Sequence, residues 1–176
     1  MLTLPITIAT CTAFFSTLVP LANNPDTDIA FIRQQYAATR QALPTMRRRR
    51  IDLLDWSTEG AAATGYFQRQ ELRLVEADVY GEMGQMHTGY YFAQGQLIFV
   101  LERAQNYAVH LQQRPSLAGS TRSTRRYYFS EGCLVRWLQD QNQAVPTSVS
   151  AYPQKQQQLL AEAQELQQLL AKPPAR

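Results

Sequence analysis

The chain has 176 residues, is 45% apolar and 18% charged, and carries a formal net charge of +3. That length suits one domain able to bury a core without disulfide staples. The positive charge is too thin for a dedicated nucleic-acid binder, whose footprint is a dense basic patch.

Residues 1–22 contain no charged side chain and are rich in Leu, Ile, Thr and Ala, and polar Asn23-Asn24-Pro25-Asp26 follows them. This is the pattern of the apolar region of a secretory signal with a polar mature start. The expectation is export by a cleaved signal to the periplasm or extracellular space. A lipoprotein attached at Cys11 and a retained segment are the alternatives. Pro5 and Pro20 make the stretch a poor membrane-spanning helix, and no transmembrane segment is expected in the mature chain. Residues 23–172 are then a single domain and 173–176 a short tail. Without residues 1–22, Cys133 stands alone, so no intramolecular disulfide can form.

Asn24 can cap a helix, Pro25 suits its first position, and Asp26 and Asp28 place negative charge at its positive end. Ile29, Ile32, Tyr36 and Leu43 recur at helical spacing, and Leu43-Pro44 ends the run. A first strand is expected over 48–56, beginning within the arginine run 47–50. Alternation sends those arginines to both faces, with Asp52 and Asp55 as local ion-pair candidates.

One phrase then occurs three times: Tyr66-Phe67-Gln68-Arg69-Gln70-Glu71-Leu72, Tyr91-Phe92-Ala93-Gln94-Gly95-Gln96-Leu97 and Tyr128-Phe129-Ser130-Glu131-Gly132-Cys133-Leu134. Each reads as a strand end, a tight turn and the next strand's start. Gly95 and Gly132 suit a positive-φ position closing a hairpin loop built on a type I turn. Gln70 in the first copy implies another turn type or strain. Strands are expected over 61–67, 72–80, 85–92, 97–105, 124–129 and 134–139, with a turn at 81–84. Leu97, Phe99 and Leu101 alternate, and Ile98 and Val100 are apolar too, so this strand is expected to be central and covered on both faces. Residues 106–123, which include His110, form a long connection of the kind that serves as a functional loop. Leu159, Ala163, Leu166 and Leu170 mark an amphipathic C-terminal helix over 153–170. The fold class is α+β: an antiparallel meander of six to seven strands, with an N-terminal and a C-terminal helix packed on one face.

Signs of chemistry are sparse. No Cys-x-x-Cys, His-x-x-x-His or acidic calcium loop occurs, and no phosphate-binding glycine loop precedes a helix. No metal and no cofactor is therefore expected. His87, with Asp78 and Glu82 near it across a turn, is a candidate acid–base residue, but no strained serine or suitable cysteine accompanies it. No catalytic residue is assigned, and the reading leans away from an enzyme. The candidate ligand-binding residues are Arg125, Arg126, Tyr128, Arg136 and His87, because arginine and tyrosine on one sheet face can hold an anion or a glycan. Alternation places Arg126 and Tyr128 on the same face.

The Tyr-Phe-x-x-Gly-x-Leu hairpins resemble the units of MORN-type repeat proteins and of small exported bacterial proteins of unassigned function. The resemblance covers residues 58–140 and departs from true arrays in its irregular spacing. It implies a scaffold or binding role and provides no site residues. The resulting expectation is an exported, non-catalytic bacterial envelope protein that binds an unknown protein or small ligand on its sheet face or through 106–123. Two alternatives are a small hydrolase using His87 with a nearby carboxylate, and an anion or nucleic-acid binder using Arg47–Arg50 and Arg122–Arg126.

Overall fold

The structure, a computed structural model, describes residues 25–108 and 119–172. The expected signal, His110, residues 109–118 of the long connection and the tail 173–176 lie outside the described residues. Helix α1 (Pro25–Ala42) leads through a short 3₁₀ turn into seven strands and a final helix α2 (Ala151–Ala171). The strands are β1 (Arg47–Asp52), β2 (Ala61–Gln68), β3 (Glu71–Gly81), β4 (Gly84–Ala93), β5 (Gln96–Asn106), β6 (Thr121–Ser130) and β7 (Cys133–Leu138). They form one antiparallel sheet in sequence order, so the fold is an α+β meander.

The repeated phrase makes the three hairpins that share one end of the sheet. Each closes in two residues: Gln68 pairs with Glu71, Ala93 with Gln96 and Ser130 with Cys133. In the second and third hairpins both loop residues have positive φ, Gln94 at 52° with Gly95 at 77°, and Glu131 at 49° with Gly132 at 78°. That is the type I′ pattern, whose twist matches the strands it joins. It replaces the expected loop built on a type I turn with a single positive-φ residue. In the first hairpin Arg69 has φ of 58° and Gln70 is not among the positive-φ residues. This is the sign pattern of type II′. A different turn, not strain at Gln70, accommodates the missing glycine.

Beyond each turn the register shifts between the Tyr and the Phe of the phrase. The extra residue lies just after the leucine: Arg73, Ile98 and Val135 are skipped in the pairing. A bulge breaks alternation locally. It lets the adjacent residues Ile98 and Phe99 pack into the same cluster while Leu97 and Val100 pack into the other.

The two helices lie on opposite faces, not together on one. Leu159, Ala163, Leu166 and Leu170 of α2 join Phe67, Tyr90, Phe92, Tyr127 and Phe129 in one core. Ile29 and Ile32 of α1 join Leu74, Tyr91, Phe99, Leu101 and Tyr128 in the other. The physical reason is the doubled apolar pattern of the hairpin ends. Tyr90, Phe92 and Tyr127 point one way and Tyr91 and Tyr128 the other, so neither face can be left to water. The strand expected to be covered on both faces, β5, is so covered.

Both helices run across the strands from the β7 edge. Arg136 on β7 pairs with Asp26 at the start of α1, and Arg40 near its end reaches Glu76 on β3. Tyr152 opens α2 against Trp137 of β7, while the Leu170 carbonyl near its end accepts from Arg49 on β1 at 2.7 Å. The 21 residues of α2 span about 31 Å, and six inter-strand gaps span about 29 Å, so one helix bridges the whole sheet. Gly65 lets α2 approach: a Cβ there would sit 2.8 Å from a Leu170 methyl.

Leu166→Ala empties a wholly buried position and is expected to cost about 2–5 kcal/mol. Chemical denaturation of the variant beside the parent checks this; a change under 1 kcal/mol would mean that α2 is not docked as described.

Candidate functional site

A helix covers a band only about 10–12 Å wide, whereas an 11-residue strand is about 37 Å long. On the α1 face, the strand ends away from the repeated hairpins therefore extend past the helix. The register sets their side chains in rows. Asp78, His87, Arg103 and Thr124 are successive neighbours across β3, β4, β5 and β6. Tyr80, Gln85, Gln105 and Arg122 form the next row outward, and Leu101 and Arg126 face each other in the row nearer α1.

Two adjacent recesses occupy this area. The outer one, about 440 Å³, is lined by Asp78, His87, Gln85, Arg103, Arg122 and Thr124 among others. The inner one, about 310 Å³, runs beneath α1, with Ile32 and Tyr36 on one side and Phe99, Leu101 and Tyr128 on the sheet. Arg103 and Thr124 belong to both. Arg33 from α1 and Arg126 from β6 also line the inner recess.

The electrostatics are lopsided. Arg33, Arg103, Arg122 and Arg126 bring four guanidiniums, and among the described residues none forms an ion pair with a carboxylate. Among the described residues Asp78 is the one carboxylate lining either recess, and its Oδ1 lies 2.7 Å from His87 Nδ1. That contact orients the ring and directs its other nitrogen, Nε2, away from Asp78. Among the described residues no serine or cysteine is hydrogen-bonded to the imidazole. No cluster of three metal-ligating side chains occurs among the described residues.

Of the five ligand-binding candidates read from the sequence, the structure gathers His87, Arg126 and Tyr128 around the adjacent recesses. Arg126 and Tyr128 share a face, as alternation requires. Tyr128 is only 6% exposed and packs on Phe99 at 4.9 Å, so it is floor as much as contact. Arg136 lies on the same face but pairs with Asp26 and lines neither recess. Arg125 is on the opposite face, where it donates to Glu102 at 3.2 Å. The sequence reading did not single out Arg33 and Arg103. Arg103 could have been found as the charged continuation of the Phe99, Leu101 alternation. Arg33 could not, because its helix docks at a place that local sequence does not specify.

The arginine run 47–50 is remote from this area, on edge strand β1. Arg47 lies over the Phe67 ring at 4.4 Å, Arg48 over the Tyr66 ring at 5.7 Å, and Arg49 bonds Leu170. The ion pairs expected with Asp52 and Asp55 are not formed among the described residues; ring faces and a helix-end carbonyl take their place. Such a charged edge discourages pairing with other chains. Free Cys133 is exposed at the start of β7.

The α2 face treats charge differently. Glu102 is buried, accepts from the Tyr127 hydroxyl at 2.7 Å and from Arg125, and has Lys155 of α2 at 3.9 Å. Tyr90 donates to Glu162 of α2 at 2.7 Å. Burial first, then the adjacent carboxylates, pushes the Tyr90 and Tyr127 phenols well above their ordinary value of 10.0. Burial likewise raises Tyr91 on the α1 face.

These raised values have a sign. The folded chain keeps phenolic protons that the unfolded chain releases, so their contribution to stability is complete below pH 10 and declines as pH rises above it. Absorbance titration of phenolate is expected to show Tyr90, Tyr91 and Tyr127 ionising only together with alkaline unfolding. Reversible ionisation of all nine tyrosines near pH 10 in a chain with intact circular dichroism would contradict the burial described.

Comparison with known proteins finds no matching family model, no matching curated protein and no matching solved structure.

Proposed function

We propose that the chain is a non-catalytic binding protein that holds an anionic ligand in the adjacent recesses of the α1 face, and that it works outside the cytoplasm. The observation that carries the binding reading is the set of four guanidiniums around a concavity whose one lining carboxylate is already engaged by His87. Four like charges gathered at one place repel one another. An anion relieves that repulsion and supplies acceptors to forked donors suited to carboxylate, phosphate or sulfate. The recess volumes lie in the range of small-molecule sites. The resemblance of the hairpins to MORN-type units supports a scaffold that presents a binding surface. The uncharged residues 1–22 support export.

A second reading draws on the 2.7 Å contact between Asp78 and His87 inside the outer recess. In a hydrolase, Nε2 of His87 would take a proton from an attacking water while the arginines hold an anionic substrate. Turnover of nitrophenyl phosphate or nitrophenyl acetate that disappears in His87→Ala would replace the binding reading with this one.

Calorimetric titration with inorganic phosphate at low salt tests the binding reading. Arg103→Ala is expected to lower affinity about tenfold or more, since a hydrogen bond to a charged group contributes about 1.5–3 kcal/mol. Added sodium chloride should weaken binding further, and Arg50→Ala on the far edge should leave it unchanged. No heat at any salt concentration, or equal loss in both variants, defeats the reading. Export is tested separately by intact mass from the native host: a chain starting near residue 23 outside the cytoplasm is expected, and full-length chain with Met1 in the cytoplasmic fraction refutes it.

A further inference from the structure

We infer that the ligand is a single amphipathic anion, with its charged head among Arg103, Arg122 and His87 and an apolar chain or ring in the inner recess beneath α1; this rests on the anion-binding reading above. A bare inorganic ion would need only the outer recess. The inner one adjoins it, with Arg103 and Thr124 lining both, and its walls carry Ile32 and Tyr36 from the helix and Phe99, Leu101 and Tyr128 from the sheet beside Arg33 and Arg126. An apolar group placed there is removed from water against side chains that already exclude it, while the attached head stays within reach of the guanidiniums. Arg103 and Thr124, which line both recesses, stand where the charged and apolar parts would join, and Arg33 and Arg126 add two further guanidiniums to the inner recess.

The same geometry separates a free molecule from a lipid surface. Phe99 and Leu101 are each 5% exposed, at the bottom of a groove between helix and sheet. A bilayer cannot lower its acyl region onto walls so deeply set, whereas one chain or ring can enter. The occupant is therefore a molecule taken up one at a time.

The test titrates the full chain with inorganic phosphate and with hexyl, octyl and decyl phosphate, each below its micelle concentration, and with octanol. Affinity is expected to rise about two- to fourfold for each added methylene until the recess is full, with octanol binding more weakly than octyl phosphate. Arg122→Ala should weaken phosphate and alkyl phosphates alike. Tyr36→Ala should flatten the dependence on chain length and spare inorganic phosphate. Equal affinity for phosphate and decyl phosphate overturns the amphipathic ligand and leaves the anion reading standing. Absence of binding to all phosphates overturns both. Binding to phosphatidylglycerol vesicles without binding to monomeric alkyl phosphates overturns the single-molecule inference in favour of a membrane surface. A chain-length slope unchanged in a folded Tyr36→Ala variant places the apolar part elsewhere and overturns the site assignment.

Discussion

The structure depends on covering both faces of one meander sheet at the end where its aromatic residues lie. Each bulged hairpin sends neighbouring rings to opposite sides: Tyr66 and Phe67, Tyr91 and Phe92, Tyr128 and Phe129 divide between the two clusters. Water cannot be allowed to reach either set without losing most of the burial that holds the fold. One helix per face meets this need. Because each helix crosses the strands instead of following them, it protects a band and not a whole surface. The band sits where the rings are, and the open strand ends beyond it carry the polar rows from which the candidate site is built.

The two faces show opposite ways of handling charge. Under α2, Glu102 and Tyr127 are buried, and each has a partner, as burial of polar groups requires. Beside α1, Arg33, Arg103, Arg122 and Arg126 are half-exposed or exposed and form no ion pair among the described residues, whereas Arg40 and Arg136 pair with Glu76 and Asp26. The first arrangement ties α2 to the sheet through the Lys155–Glu102 ion pair and through Glu162 and Gln156, which accept from the Tyr90 hydroxyl and the Leu134 N–H. The second contributes little to holding α1. A stabilising network and the candidate site thus sit back to back on β5 and β6, separated by the thickness of one sheet. The division follows from parity alone: Glu102 and Arg125 face one way, Arg103 and Arg126 the other.

Much of the element order was legible in the sequence because the signals are local. The caps and period of α1, the Leu159–Leu170 stripe of α2 and the thrice-used hairpin phrase each act over a few residues, and the observed boundaries follow them closely. Side-chain parity was legible too, which is how Arg126 and Tyr128 were placed together. Turn type was not, since Gln94 and Glu131 adopt positive φ only because strand twist demands it of both loop residues. The arginine run at 47–50 suggested ion pairs, but its neighbours across the sheet and α2 supplied ring faces and a carbonyl in their place.

By itself the amino-acid sequence determined which segments are strands and helices and that the strands pair in order, because turns and periodicity are written in short stretches of chain; the bulges that put Ile98 beside Phe99 were not read from it. Only the tertiary structure decided that the helices take opposite faces, and that Arg33 of α1 meets Arg103 and Arg126 across a groove. Those outcomes depend on where a helix docks along the strands, and docking is set by the summed burial of rings from five different strands, which no short stretch encodes.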